Sequence, residues 1–208
     1  MIKIENISKR FGTETVLQNV SLTFEKGKIY GLVGRNGSGK TVLLKMICGF
    51  IRPDEGKITI NGVVLNQQRE FPTNVGILIE RPGFLPGKSG FQNLKYLSSI
   101  KNIIDDSRIY QTLKMVGLEN AGNKRVGKYS MGMKQRLGIA QAIMENPYIL
   151  LLDEPMNGLD DQGVAEMREL LKKFCNSDKT VVFASHIKED IQELCDVVYY
   201  IDAGKIYE

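Results

Sequence analysis

Residues 34–41 read Gly-Arg-Asn-Gly-Ser-Gly-Lys-Thr and match the spacing G-x-x-x-x-G-K-[ST] at every fixed position. The chemistry open to this spacing is phosphate binding. Glycines at 34, 37 and 39 permit positive φ, so successive N–H groups can turn inward toward anionic oxygens. A helix starting at the end of the loop adds its N-terminal dipole. Lys40 is placed to reach the β- and γ-phosphates of a nucleotide, and the Thr41 hydroxyl to hold Mg²⁺. The candidate phosphate contacts are Gly34, Arg35, Asn36, Gly37, Ser38, Gly39, Lys40, Thr41 and Val42.

A second group follows the apolar run YILLL at 148–152: Asp153-Glu154-Pro155. A carboxylate at the C-terminal end of a parallel strand sits where α/β sheets bind ligands. Asp153 is the expected Mg²⁺ partner, through water, as in other phosphate-loop enzymes. Glu154, one residue beyond, is the candidate general base for an attacking water. An isolated Asp-Glu pair would read as a helix cap or a solvated pair. A phosphate loop in the same chain changes that reading.

The elements needed to position these residues are visible in the pattern. Residues 28–33 (KIYGLV) read as a buried strand feeding the loop, and 41–50 (TVLLKMICGF) as the helix leaving it. Residues 1–6, 19–24 and 57–61 read as half-buried strands and 75–79 (VGILI) as a buried one. From residue 81 the chain changes to RPGFLPGKS, then to helical stretches at 90–100 and 105–116, with no strand pattern before 148. Residues 82–128 are therefore expected to be a helical insertion. Ser130 is placed to cap a helix running to about residue 145, with Met133, Leu137, Ala140 and Met144 on one stripe. An amphipathic helix at 161–175, a strand at 179–184, a helix at 187–194, a strand at 197–201 and a hairpin at Ala203-Gly204 complete the chain. Alternating β and α predicts an α/β fold with a parallel sheet.

Bulk properties exclude several classes. The net charge of +4 is too small to imply nucleic acid. No apolar run approaches the ~18 residues of a membrane span, and residues 1–9 do not read as a signal peptide. Cys48, Cys175 and Cys195 are odd in number and widely spaced, which suits buried or partly buried thiols rather than a zinc site or disulfide framework. The single histidine, His186, cannot anchor a metal site alone. Lys124, Arg125 and Lys128 form a basic cluster whose plain reading is a solvated face, with nucleic-acid contact second.

Residues 129–136, Tyr-Ser-Met-Gly-Met-Lys-Gln-Arg, resemble the signature segment of ATP-binding-cassette (ABC) ATPases, usually Leu-Ser-Gly-Gly-Gln before a basic stretch. Asn157-Gly158-Leu159-Asp160 looks like the family's D-loop, Ala184-Ser185-His186 like its switch histidine, and Phe11 like its adenine-stacking aromatic. Glu80 falls where the family usually has glutamine. Tyr129, Met131 and Met133 replace the common Leu, Gly and Gln, while Ser130 and Gly132 are kept. The Ser-Met-Gly-Met-Lys-Gln-Arg run together with Glu80 is similar to the bacitracin-resistance and lantibiotic-immunity type of exporter ATPase.

The resemblance covers nearly the whole chain. It implies a phosphate-loop NTPase fold with an N-terminal antiparallel β subdomain and an inserted α-helical subdomain. It implies one ATP-binding domain over 1–208, with 1–81 and 129–208 as nucleotide-binding core and 82–128 as the helical unit. It implies ATP and Mg²⁺ as ligands, with Glu154, His186 and Lys40 catalytic and Thr41, Glu80 and Asp153 around the metal. Phe11, Ser130, Gly132 and Asp160 join the nucleotide contacts, Ser130 and Gly132 from a second copy across a head-to-tail homodimer. It also implies a separate transmembrane permease as partner, no nucleic acid, and a cytoplasmic, membrane-peripheral location. A soluble ATPase switch acting on ribosome or nucleic acid is the alternative. Such proteins usually carry two cassettes or a long coiled-coil insertion, which this chain does not show. A guanine-binding switch would want Asn-Lys-x-Asp, and the run Asn123-Lys124-Arg125-Val126 fails at its last position.

Overall fold

The computed structural model describes residues 1–65, 71–80 and 82–207. Arg81, the first residue of the expected loop at 81–89, lies outside the described residues.

The N-terminal third forms an antiparallel sheet of β1 (Ile2–Phe11), β2 (Glu14–Phe24), β4 (Glu55–Ile60) and β5 (Val63–Val64), in the order β2-β1-β4-β5. The β1–β2 hairpin is longer than the alternation at 1–6 and 19–24 predicts. Asn6 and Asn19 adopt φ of 51° and 49°, and the β1–β2 register shifts between Ile4 and Ile7. A shift of this kind breaks the two-residue period. Buried Ile7 and Leu17 resume it beyond the irregularity.

The second sheet has the order β10-β9-β3-β8-β7-β6. It comprises β3 (Ile29–Val33), β6 (Val75–Leu78), β7 (Ile149–Asp153), β8 (Thr180–Ser185), β9 (Val197–Asp202) and β10 (Lys205–Tyr207). All pairings are parallel except β9–β10, the expected C-terminal hairpin. Strands buried on both faces read as continuous apolar runs, as ILLL and TVVFA do. Alternate residues then serve two cores. Ile149, Leu151 and Val182 pack toward the antiparallel sheet and α1 (Lys40–Ile47), with Leu43, Leu44, Phe24 and Tyr30. Leu150, Leu152, Val181 and Phe183 pack toward α4 (Met131–Ile143) and α5 (Asp161–Phe174), with Leu137, Ile139 and Met167.

Helix α1 ends three residues before the predicted boundary. Gly49 takes φ of 77°, and the N–H groups of Gly49 and Phe50 bond the carbonyls of Met46 and Lys45. This left-handed closure terminates the helix although apolar residues continue. Helices α2 (Gly90–Lys101) and α3 (Asp106–Met115) lie between β6 and α4, as the insertion pattern predicts. Ser89 caps α2 in a reciprocal capping box with Gln92. Helix α6 (Lys188–Leu194) follows β8. Each of the three cysteines is a helix C-cap: Cys48 on α1, Cys175 on α5 and Cys195 on α6. Burial pushes the Cys48 and Cys195 thiols up to about 12, leaving almost no thiolate near neutrality.

Candidate nucleotide site

The site is built at the C-terminal edge of the parallel sheet. Register sets Val33 beside Ser185, Asp153 beside Ala184 and Leu78 beside Leu152. The segments leaving β3, β8, β7 and β6 therefore emerge side by side. They carry the phosphate loop, His186, Asp153-Glu154 and Glu80.

The loop itself is a tight backbone cradle. Gly37 and Gly39 adopt φ of 79° and 107°. A Cβ at Gly34 would lie 2.4 Å from the Ile201 carbonyl oxygen and 2.5 Å from Ser38 Oγ, so only glycine fits there. Lys40 is buried, and its Nζ donates to the carbonyl oxygens of Gly34 (2.7 Å) and Arg35 (3.1 Å). No carboxylate among the described residues lies within ion-pair distance of it. A buried ammonium held only by neutral carbonyls favours an anion nearby. Ser38 Oγ is buried without a hydrogen-bond partner. A nucleotide's phosphates fit both features.

Thr41 Oγ1 donates to Asp153 Oδ2 at 2.6 Å, joining two residues 112 positions apart. A hydroxyl and a carboxylate are the hard oxygen donors that Mg²⁺ takes alongside phosphate and water. Glu80 forms an ion pair with Lys45 of α1. Lys45 is one turn after Thr41 on the same helix face, so this ion pair ties Glu80 to the helix that carries Thr41.

Glu154 presents its carboxylate to His186, with both oxygens 2.9 Å from Nδ1. An ionised carboxylate accepts only, so this contact suits the tautomer with the proton on Nδ1. The Glu154 backbone is fixed from three directions: φ is 49°, its N–H bonds the Ala184 carbonyl, and Gln135 Nε2 donates to the carbonyls of Glu154 (3.1 Å) and Pro155 (3.0 Å). Positive φ outside glycine is mostly an asparagine trait here. Among the described residues only Glu80, Glu154 and Ala203 break that pattern. Two of the three are candidate site carboxylates, which matches the concentration of backbone strain at functional sites.

The turn carrying His186 has its own anchor. Arg168 on α5 bonds the buried Asp190 through Nε (3.1 Å) and Nη2 (2.7 Å). Ser185 Oγ lies 3.4 Å from Asp190 Oδ2 and accepts the Ile187 N–H at 3.1 Å. His186 is thus held between two tethered neighbours. Sequence reading misses Gln135, Lys45, Asp190 and Arg168, because their roles come from partners far along the chain. The unusual residue at Glu80 is the one signal that asks for a compensating cation.

Ser130, Gly132 and Asp160 are not gathered at the loop. Phe11 ends β1, half exposed, with Lys9 Nζ 5.4 Å from its ring centre. Ser130 caps α4 by accepting the Met133 N–H at 3.2 Å, and Asp160 caps α5 by accepting the Gly163 N–H at 3.0 Å. A Cβ at Gly132 would come within 2.7 Å of the Gly158 carbonyl oxygen, so the α4 terminus packs directly on the 157–160 turn. Ser130, Gly132, Gly158 and Asp160 line a separate cavity of about 620 Å³ that includes no phosphate-loop residue. Arg136 lines it too, bonding the Val116 carbonyl and pairing with Glu166 at 2.8 Å. That contact holds the Glu166 carboxyl below the usual carboxylate range.

The three unusual residues of this segment each have a place. Tyr129 is buried and its hydroxyl donates to the Ala121 carbonyl at 2.7 Å. Met131 lies over Gly158 and Met133 packs against the helical core.

Residues 17–157 match the ABC transporter family. The ABC transporter ATP-binding protein YybJ of Bacillus subtilis is 49% identical over 206 residues, covering 99% of this chain and 94% of its own. The bacitracin transport ATP-binding protein BcrA of Enterococcus faecalis is 39% identical over 210 residues, covering 100% of this chain and 68% of its own. A dimeric ATP-binding cassette solved in a post-hydrolysis state with ADP and Pi superposes with a TM-score of 0.90 at 26% identity, covering 100% of this chain and 97% of that one.

Proposed function

We propose, from the premise that the chain belongs to the ABC transporter family, that it binds and hydrolyses ATP to drive export of an antibiotic or antimicrobial peptide through a separate membrane permease. The observation that carries the ATP reading is Lys40: a buried ammonium with no carboxylate partner among the described residues, set in a backbone cradle beside the Thr41–Asp153 pair. Export and the cargo class rest on the similarity to the bacitracin transport protein. The family is a transporter family, so a soluble switch on ribosome or nucleic acid is not favoured.

In this reading, the N–H groups of residues 34–42 bind the phosphates and Phe11 stacks on adenine. Lys40 leaves the Gly34 and Arg35 carbonyls for phosphate oxygens. Thr41 and Asp153, with Glu80 alongside, would hold Mg²⁺, which supplies neutralisation of phosphate charge. Glu154 orients a water and accepts its proton. His186 holds the Glu154 carboxylate in one rotamer and reads the γ-phosphate. Ser130 and Gly132 of a second copy close the site, because the α4 terminus faces outward and a helix N-terminus suits an anion. The solved relative is itself a dimer. Purified chain should hydrolyse ATP with a rate per chain that rises with protein concentration, since two copies complete each site. No hydrolysis, or a rate per chain independent of dilution, would overturn the proposal.

No helix among the described residues is long and apolar enough to cross a membrane; in the proposed reading the translocation path belongs to the permease. A cavity of about 460 Å³ lined by Phe50, Ile79, Phe84, Leu85, Tyr96 and Leu97 is the proposed dock. It touches the end of α1, the segment leading to Glu80 and the helical unit 82–128 together. Movement of a permease segment there would reach the nucleotide through Glu80.

Glu80→Gln tests the role of that carboxylate. The Lys45–Glu80 pair is exposed enough that folding stability should change by less than ~1 kcal/mol. Binding of a fluorescent ATP analogue without Mg²⁺ should tighten several-fold, because a negative charge leaves and Lys45 is released. The enhancement on adding Mg²⁺ should shrink. Unchanged Mg²⁺ dependence would remove Glu80 from the metal site.

A further inference from the structure

The charge of this protein is segregated. Residues 82–128 carry eight cations against three carboxylates, a net +5, so the rest of the chain is close to neutral at −1. Within the helical unit, Lys95 pairs with Asp106, Lys101 with Glu145 (2.6 Å), and Arg108 donates to the Met144 carbonyl. Lys88, Lys124, Arg125 and Lys128 are exposed, and none has a carboxylate within ion-pair distance among the described residues. These four are brought together by backbone hydrogen bonds. Ser89 bridges Arg125, the Val126 N–H donates to the Lys88 carbonyl (2.9 Å), and the Gly127 N–H donates to the Pro86 carbonyl (2.9 Å). The Lys128 N–H donates to the Arg125 carbonyl, closing a short 3₁₀ turn at Val126–Lys128. The cluster adjoins the proposed permease groove. Lys88 Nζ lies 5.9 Å from the ring centre of Tyr96, which lines that groove with Leu85.

We infer that Lys88, Lys124, Arg125 and Lys128 form a contact surface for anionic phospholipid headgroups at the rim of the permease groove. The inference rests on the reading above, which docks the neighbouring groove on a membrane permease. The groove is lined largely by apolar and aromatic side chains, whereas the cluster beside it is cationic. Its cations are exposed side chains on backbone-pinned loops, with no carboxylate among the described residues to compensate them. Diffuse positive charge of this kind suits a fluid layer of phosphates, where binding adds up charge by charge and fades with salt.

The test is sedimentation of the full chain, without ATP or permease, with vesicles of phosphatidylcholine alone or with 3:7 phosphatidylglycerol:phosphatidylcholine. Binding to the anionic vesicles only, weakened at high salt, is expected. Each cation is worth about fivefold in partitioning, so changing Lys124, Arg125 and Lys128 to Gln together should lower it about 100-fold. Changing Lys26, Lys173 and Lys205 to Gln removes the same net charge from other exposed positions and should lower it far less. Fluorescent ATP-analogue binding by both variants should match the parent, showing that the fold is intact. Equal losses in the two variants would reduce the effect to net charge and overturn the inference. So would absent vesicle binding, or capture of a soluble polyglutamate by the cluster in place of vesicles, which would assign it to an acidic protein segment. Because the assay contains no nucleotide, its failure would leave the ATP-hydrolysis reading standing, and loss of hydrolysis would not alter its outcome.

Discussion

Glu154→Gln is expected to bind ATP normally, to lose about 10²–10⁴ of its turnover, and to accumulate as an ATP-stabilised dimer. The substitution preserves shape, so the backbone features that fix residue 154 survive: the positive φ, the bond to the Ala184 carbonyl and the two bonds from Gln135. The amide oxygen can still accept from His186 Nδ1, which keeps the imidazole in place. What disappears is basicity, and with it the means of taking a proton from water. Phosphate contacts at Lys40, Thr41 and Asp153 are untouched. Steady-state phosphate release and size-exclusion chromatography with ATP are the two measurements. Normal turnover would remove Glu154 from the base role.

The second large effect is expected at Ser130, where the structure separates two jobs that the sequence merges. Ser130 caps α4 through the Met133 N–H, and it is the proposed contact to ATP bound on the other copy. Ser130→Ala loses both. The cap alone is worth ~1 kcal/mol, which for a chain of this size lowers Tm by ~2–4 °C. Ser130→Asp keeps a good cap and suits the helix dipole, so its Tm should equal or exceed the parent. The added negative charge would then face the γ-phosphate. In the Glu154→Gln background, Ser130→Asp should show no ATP-dependent dimer on size-exclusion chromatography, while monomer affinity for an ATP analogue stays within about twofold. A Ser130→Asp protein that dimerises like its parent would refute the composite site.

The phosphate loop, the Asp153-Glu154 pair at the end of an apolar run, the helical insertion and the parallel sheet are all legible in the chain, because each is written in neighbouring residues. Glycine spacing sets what a backbone can do within eight positions, and an apolar run with an acidic end marks a buried strand and its exit. Boundaries failed where backbone conformation interrupted the pattern: at Asn6 and Asn19, whose positive φ accompanies a break in β1–β2 alternation, and at Gly49, which closes α1 early.

Tertiary structure decided who meets whom. The order β3-β8-β7-β6 interleaves strands from distant parts of the sequence, and only that order sets Thr41 against Asp153 and Glu154 against His186. It also gave Glu80 a cation in Lys45, tethered the His186 turn through Asp190 to Arg168, and left Ser130 and Gly132 lining a cavity of their own. These outcomes depend on register and packing between segments dozens of residues apart, which no local pattern encodes. The Lys124–Lys128 cluster shows the same division. Its charge is plain in the sequence, but its contact with Lys88 and its place beside an apolar groove exist only once two loops are hydrogen-bonded together.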